Sequence, residues 1–267
     1  MRVAVVGHVE WVQFARVARV PSAGEIVHAS ATWEAPGGGG AVAVVHLARL
    51  AGSAEFFTAL GDDELGRRAA HELGGHGVTV HTAWRDEPQR RAFVFVDDDH
   101  ERTITVTGRR LAPHADDPLP WASLDDADAV YFTAGDPAAL RAARAARVLV
   151  ATPRARQAFA GAGVELDVLV RSGSDEGETY RPGDLDPPPR FVVTTAGADG
   201  GRYEAADGRS GTWAAAPLPG PPVDSYGAGD CFAATLTHAL GRGLEIDAAL
   251  AEAARGGAAA LAGRGPY

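Results

Sequence analysis

The chain has 267 residues, of which 46% are hydrophobic, and it carries a formal net charge of −10 at pH 7. This length suits one large α/β unit with a sizeable core, and the acidic balance argues against nucleic acids and anionic membrane surfaces as partners. The single cysteine, Cys231, excludes an internal disulfide and a cysteine-based zinc site, which fits a reducing, cytoplasmic setting.

All 25 basic residues are arginine, and the chain contains neither lysine nor asparagine. The lack of lysine excludes a P-loop, a protein kinase and Schiff-base catalysis, since each needs a lysine side chain. The apolar run near residue 1 is too short for a signal peptide. No stretch approaches the roughly 20 apolar residues that a membrane-spanning helix needs.

The first half of the chain predicts a mixture of buried α/β elements and extended polar segments. A buried strand over 3–7 is followed by extended segments over 11–20 and 25–33, joined by a proline–glycine turn. Glycines 37–40 then precede a helix. The further elements predicted here are a helix over 41–51, a strand over 54–60, a helix over 62–73, and a hairpin with strands over 91–96 and 102–107.

From residue 129 onward, short apolar strands alternate with alanine-rich helices, which predicts a mainly parallel sheet covered by helices. The extended segments at about 11–33 and 85–107 do not fit this alternation. We therefore expect them to form a separate small sheet, or lid. The strands predicted in this half cover 130–132, 147–150, 168–170 and 191–195, and the last two helices cover 228–241 and 246–261.

The segment 224–230, Asp-Ser-Tyr-Gly-Ala-Gly-Asp, combines a helix start with a carboxylate. Its two glycines allow a tight turn that leaves backbone N–H groups free at the positive end of the helix, which favours an anion. A carboxylate at such a place suits a base that takes a proton from a hydroxyl attacking a phosphoryl group. The residues alone leave a second interpretation equally open, in which Asp230 merely stabilises the first helical turn.

This string resembles the second signature of the ribokinase, or PfkB carbohydrate kinase, family. Five further segments resemble that family in the same order along nearly the whole chain, and together with 224–230 these six ordered matches are far more specific than any one. The five are Pro21-x-x-Gly24-Glu25, Pro36 to Ala41 with the helix after it, Leu60 to Gly66 with Leu73 to Val78, Glu101 to Ile104, and Thr195 to Gly200.

The resemblance implies a ribokinase-like three-layer α/β sandwich over residues 1–267, with a mainly parallel central sheet and a small β lid. It implies an ATP-dependent transfer of the γ-phosphoryl to a hydroxyl of a sugar or nucleoside, with Mg²⁺ and, as an open question, a monovalent cation. Asp230 would be the general base, and Gly227, Ala228 and Gly229 would stabilise the phosphoryl oxygens. The nucleotide would meet Thr195, Gly197 and Gly200, and the acceptor side would include Glu10, Gly38, Gly39 and Asp224. The metal ligands are not identified.

The sequence departs from the family pattern mainly on the acceptor side. Val12 and Val42 stand where the family has an aspartate and an asparagine that bind sugar hydroxyls. The family's Asn-x-x-Glu motif aligns with Ser172 to Asp175, with Glu176 and Glu178 as candidate replacements. Loss of such hydrogen-bonding groups should change the preferred ligand, so we expect an acceptor other than ribose, such as a nucleoside or a modified sugar.

Two functions other than a kinase are considered as alternatives. The departures favour a catalytically impaired ligand-binding or regulatory protein on the same scaffold, whereas the intact Asp230 motif opposes it. A nicotinamide oxidoreductase would need a glycine fingerprint directly after the first strand, and none is present. We also expect a homodimer through the lid segments, because open edge strands tend to be paired or covered.

Overall fold

A computed structural model describes all residues of the chain, 1–267. The strands are β1 (Val3–Val6), β2 (Glu10–Arg16), β3 (Ala31–Gly37), β4 (Ala54–Gly61), β5 (Val78–Arg85), β6 (Arg91–Val96), β7 (Arg102–Thr107), β8 (Ala129–Phe132), β9 (Val148–Ala151), β10 (Val168–Ser172), β11 (Phe191–Thr195), β12 (Gly201–Ala205) and β13 (Ser210–Trp213). The α-helices are α1 (Gly38–Ala51), α2 (Glu64–Gly74), α3 (Pro137–Ala143), α4 (Ala228–Gly241) and α5 (Ile246–Leu261).

The larger sheet has nine strands in the order β13-β12-β11-β10-β9-β8-β1-β4-β5. The seven strands from β11 to β5 pair in parallel, and β12 and β13 add an antiparallel edge. Parallel strands buried on both faces should be almost continuously apolar. The sequence Val-Ala-Val-Val of β1, buried at every position, meets this expectation.

Both faces of the large sheet are covered. Val3 and Val5 of β1 point into a core of 32 buried residues that includes the apolar sides of α1, α2, α4 and α5. Ala4 and Val6 point to the opposite face, into a second core of 21 residues with α3 and short 3-10 turns. This alternation along one strand places β1 at the centre of a three-layer structure.

The smaller sheet has four strands in the order β3-β2-β6-β7. β2 pairs antiparallel with β3 and parallel with β6, and β7 closes the hairpin with β6. One face packs on the main body through a cluster that includes Val12, Phe14 and Val94, together with Val42 of α1. The outer strand β7 is exposed along its whole length.

The structure confirms the predicted fold class and the separate small sheet, and it changes several element bounds. The hairpin β6–β7, strand β11 and helices α4 and α5 have the predicted limits. The strand predicted over 11–20 ends at Arg16, and the one predicted over 25–33 is shifted to 31–37, because the loop between them extends over 17–30 and not only over the predicted turn. Glycines 38–40, placed before the helix by the sequence, form its first turn.

Between β8 and β11 the predicted alternation with alanine-rich helices holds only in part. Only α3 forms in that stretch, and the segments after β9 and β10 contain the 3-10 turns Pro153–Ala158 and Glu176–Glu178. Gly161 and Gly163, with φ +70° and +64°, and the prolines at 187–189 interrupt any longer helix. None of the helices has the length and apolar character required to cross a bilayer.

Candidate active site

The motif 224–230 lies at the start of α4, beside the glycine-rich start of α1. Gly227 is the N-cap of α4, has φ +79° and provides no side chain to cap the helix. The first N–H groups of an α-helix have no partner within the helix, so those of α4 are available to an external anion. An added Cβ at Gly229 would meet no atom within 4 Å, which shows that open space adjoins this turn.

The two glycine segments are in direct contact. The Gly38 backbone N–H donates a buried 2.9 Å hydrogen bond to the Tyr226 hydroxyl. A Cβ built on Gly39 would lie 2.9 Å from Oδ1 of Asp230. The start of α1 therefore forms one wall of the cleft that holds the Asp230 carboxylate, and a glycine at 39 leaves room for it.

Asp230 is a poorly solvated carboxylate. Burial, and after it the negative charge of Glu178, raises the pKa of Asp230 to about 7, although Arg102 and Arg154 act in the opposite direction. A carboxyl group with a pKa near the working pH is suited to accept and return a proton.

Glu178 is positioned by contacts with its neighbours on the same side of the cleft. Its Oε2 accepts a 2.7 Å hydrogen bond from the Ser172 backbone N–H, at the end of β10. Its Oε1 lies 3.4 Å from Nε of Arg154, whose Nη2 also bonds Asp175. Of the candidate replacements for the family's glutamate, Glu178 is thus the one whose charge reaches Asp230, whereas Glu176 is exposed.

The predicted nucleotide residues lie at the carboxyl end of β11. Thr195 ends that strand, and Gly197, with φ +58°, begins the 3-10 turn Gly197–Asp199 with open space where a Cβ would stand. Gly200 has a different constraint, because a Cβ there would lie 2.1 Å from the carbonyl oxygen of Trp213. Gly200 therefore permits the close approach of β13.

The predicted acceptor residues Glu10 and Gly38 lie together beyond β1. Oε1 of Glu10 accepts a 2.8 Å hydrogen bond from Nε of Arg90 and is 3.9 Å from Nε2 of His8. A Cβ on Gly38 would be 3.2 Å from Cγ of Glu10 and 3.3 Å from Nε2 of His8. Glu10, His8 and the glycine turn therefore share one small buried space.

Val12 and Val42, which replace polar residues of the family pattern, pack in one apolar cluster with Tyr226 and Cys231. Both valines are fully buried. Cγ1 of Val42 is 2.9 Å from the position of a Cβ on Gly227, and Cγ2 of Val12 is 2.7 Å from that of a Cβ on Gly37. Val12 and Val42 therefore pack directly against the backbone of the two glycine turns.

Asp224 is buried and engaged by backbone groups. Its Oδ1 accepts a 2.8 Å hydrogen bond from the Tyr226 N–H, and its Oδ2 accepts a 3.0 Å bond from the Gly265 N–H. The carboxylate thus links the motif to the carboxyl-terminal segment. Its predicted role on the acceptor side is a separate matter and stays a prediction.

No group of three or more His, Cys, Asp or Glu side chains in the chain is close enough to hold a metal ion by itself. Mg²⁺ is usually bound by one or two carboxylates together with substrate phosphates. Glu178, held in place by Ser172 and close enough to Asp230 to affect its pKa, fits that requirement.

Sequence reasoning did not single out several charged or polar side chains around this cleft. Their positions in the sequence are scattered, and only the sheet brings them together. No local motif marks them, although His8, a histidine two residues after a buried strand, could have been singled out as a candidate site residue. These residues are His8, Arg90, Arg110 and Arg154.

The order of strands, the two glycine turns and the carboxylate at the start of α4 define a ribokinase-like fold. Solved structures agree. A ribokinase-like protein from Agrobacterium tumefaciens superposes with a TM-score of 0.83 at 21% identity, covering 99% of this chain and 92% of that one. Arabidopsis thaliana ribokinase, solved with ribose and ATP, superposes with a TM-score of 0.75 at 21% identity, covering 99% and 93%.

The chain belongs to the pfkB family of carbohydrate kinases, whose sequence profile matches residues 1–167 and 186–267. Membership of this family makes it a sugar or nucleoside kinase. An ATP-dependent ribose-1-phosphate kinase from Halopiger xanaduensis is 30% identical over 256 residues, which cover 88% of this chain and 83% of that protein.

Proposed function

We propose that the protein transfers the γ-phosphoryl group of ATP to a hydroxyl of a sugar or nucleoside, with Asp230 as the general base. The observation that carries this proposal is the Asp230 carboxylate in the first turn of α4, beside uncapped N–H groups and with its pKa raised to about 7. At that pKa the carboxylate can take the hydroxyl proton as the new O–P bond forms and the bond to ADP breaks.

The turn Gly227-Ala228-Gly229 would stabilise the transferred group. Its N–H groups point out of the positive end of α4, where charge on the phosphoryl oxygens is favoured. The nucleotide would extend from there towards Thr195, Gly197 and Gly200, at the end of β11. The open space beside Gly197 and Gly229 supports this path.

Mg²⁺ would supply positive charge that offsets the phosphate oxygens. Glu178 is the carboxylate of this chain best placed to hold it, directly or through water. A monovalent cation near Asp224 stays a prediction, which potassium dependence of turnover would test. A free, buried Cys231 suits the cytoplasmic setting that we also propose.

The smaller sheet would act as a lid within one catalytic domain over residues 1–267. Nη1 of Arg102, at the start of β7, donates a 3.0 Å hydrogen bond to the Ser225 carbonyl oxygen. Nδ1 of His100 lies 3.1 Å from the Val223 carbonyl oxygen. These contacts join the lid hairpin to the motif that carries Asp230, so closure of the lid and assembly of the site would be coupled.

The alternative is a binding or regulatory protein on this scaffold, which the loss of the family asparagine at Ser172 favours. Turnover decides between the two. We would incubate the protein with Mg·ATP and a panel of sugars, nucleosides and sugar phosphates, including ribose 1-phosphate, and measure ADP release. Acceptor-dependent release is expected; binding without turnover across the panel would support the alternative.

A further inference from the structure

Three arginine side chains lie near enough to His8 for their charges to act on it. The positive charges of Arg110, Arg90 and Arg154 each lower the pKa of His8, after the larger effect of its burial. Arg90 precedes β6, Arg110 follows β7, and Arg154 lies in the turn after β9. Residues far apart in sequence therefore converge on one point, in a protein whose net charge is −10.

The three arginines differ in how their charge is balanced. Arg90 pairs with Glu10 at 2.8 Å, and Arg154 pairs with Asp175 and Glu178. Arg110 has no carboxylate within 4.0 Å.

Arg110 is nevertheless held in place and poorly solvated. Its Nη1 donates a 2.8 Å hydrogen bond to the Arg154 carbonyl oxygen. Burial and the charges of Arg90 and Arg154 lower the pKa of Arg110, while the negative charge of Glu10, which lies beyond 4.0 Å, acts in the opposite direction. A half-buried guanidinium that no carboxylate contacts directly is suited to bind an external anion.

His8 provides a second and independent observation. The side chain is 6% exposed, and its Nδ1 is buried without a hydrogen-bond partner. Buried polar atoms nearly always have a partner. The ring also borders the glycine turn, since a Cβ on Gly39 would be 3.9 Å from Cε1 of His8 and 2.9 Å from Oδ1 of Asp230. The unpartnered Nδ1 therefore belongs to a side chain next to the glycine turn and the proposed base, where a ligand would supply the missing partner.

The position in the sheet assigns this cluster to the acceptor. His8 follows β1, which is four strands away from β11 and its predicted nucleotide residues. At the usual strand spacing the two ends are about 19 Å apart. Arg90 and Arg110 flank strands β6 and β7 of the smaller sheet, and Arg154 follows β9, two strands from β1.

We propose that the acceptor is itself a phosphate monoester, a sugar phosphate whose phosphate binds Arg110, Arg90 and Arg154 while its free hydroxyl faces Asp230. This inference rests on the proposed kinase function. Guanidinium groups bind phosphate through paired, charge-assisted hydrogen bonds, and His8 Nδ1 supplies a further contact. Charge recognition of this kind takes the place of the hydroxyl-binding residues that Val12 and Val42 replace.

The test compares phosphorylated acceptors with their own unphosphorylated counterparts. Kinase turnover and, without ATP, calorimetric binding are measured for ribose with ribose 1-phosphate and ribose 5-phosphate, and for fructose with fructose 1-phosphate and fructose 6-phosphate. The variants are Arg110→Met, which keeps a long apolar stem, and the matched control Arg109→Met, an exposed neighbour paired only with Glu87 at 3.4 Å.

We expect at least one sugar phosphate to bind more tightly than its parent sugar. Arg110→Met should weaken that binding roughly ten- to a hundredfold, the usual range for a charge-assisted hydrogen bond, with the KM for ATP unchanged and Arg109→Met like wild type. The inference is overturned if parent sugars bind as well as their phosphates, if gluconate binds better than every phosphate, or if Arg110→Met raises the KM for ATP instead. Binding of a sugar phosphate through Arg110 without any turnover would contradict the proposed kinase function but would still support the anion site.

Discussion

Gly39, in the first turn of α1, approaches the side chain of Asp230 so closely that a methyl group on it would lie 2.9 Å from Oδ1. That distance is shorter than Cβ contacts normally allow, and the carboxylate is the atom group free to move. The absence of a side chain at residue 39 therefore leaves room for the proposed base, so the glycine turn of α1 and the start of α4 fit together at this point.

A first prediction follows for Gly39→Ala. The new methyl group should displace the Asp230 carboxylate, and a misplacement of about 1 Å can cost roughly a hundredfold in rate. We expect kcat to fall by about that factor while the melting temperature changes little. Gly74→Ala is the matched control, since a Cβ there meets nothing within 4 Å. Unchanged turnover in Gly39→Ala would argue against this placement of the base.

The pH dependence of kcat/KM provides a second prediction. Asp230 must be deprotonated to act as a base, so activity should rise with pH through an apparent pKa of about 7. The negative charge of Glu178 is part of what raises this pKa, so Glu178→Gln should move the acid limb to lower pH. Glu176→Gln, on the same turn but exposed, should leave it in place. If the acid limb of the pH profile does not move in Glu178→Gln, or moves to higher pH, the assignment of this pKa to Asp230 is wrong.

Asp224→Asn tests a structural role for the first aspartate of the motif. Both carboxylate oxygens accept backbone N–H groups, at 2.8 and 3.0 Å, and an amide would direct an NH₂ group at one of them. Leaving a buried donor unsatisfied costs about 1–3 kcal/mol, so the free energy of unfolding should fall by that amount. Chemical denaturation measures it, with the exposed Asp125→Asn as control. Equal stability of the two variants would rule this role out.

The smaller sheet predicts dimerisation. Its outer strand β7 pairs only with β6 and is exposed along its length, and Ile104 and Val106 are 41% and 39% exposed. Open, partly apolar edges are usually covered, so sedimentation at micromolar concentration should show a dimer that Ile104→Lys weakens. A monomeric wild-type protein at that concentration would contradict the prediction.

Much of the architecture was predictable because periodicity and glycine positions are local signals. The strands of the β6–β7 hairpin are rich in β-branched and aromatic residues on either side of an acidic turn, and α4 and α5 are long helices rich in alanine. The β12–β13 hairpin was not anticipated, because its strands are short, largely polar and rich in glycine. Its close approach at Gly200 became visible only in three dimensions.

The candidate site also has one part that the sequence predicts and another that only the structure reveals. The segment 224–230 is contiguous, so its anion-binding turn and carboxylate could be derived from the sequence. The arginines near His8 come from three separate segments of the chain, and each alone resembles an ordinary surface residue. Likewise, the replacements Val12 and Val42 suggested an acceptor other than ribose, and only the structure shows that both valines are buried in one cluster with Tyr226.

The most direct test of the account is the turnover of Asp230→Asn with Mg·ATP and the best acceptor of the panel. Loss of a general base usually lowers the rate about a hundred- to ten-thousandfold, so we predict a fall of kcat in that range, with acceptor binding and melting temperature retained. Asp230→Asn with the kcat of the wild type would contradict the role of Asp230 and, with it, the proposed mechanism.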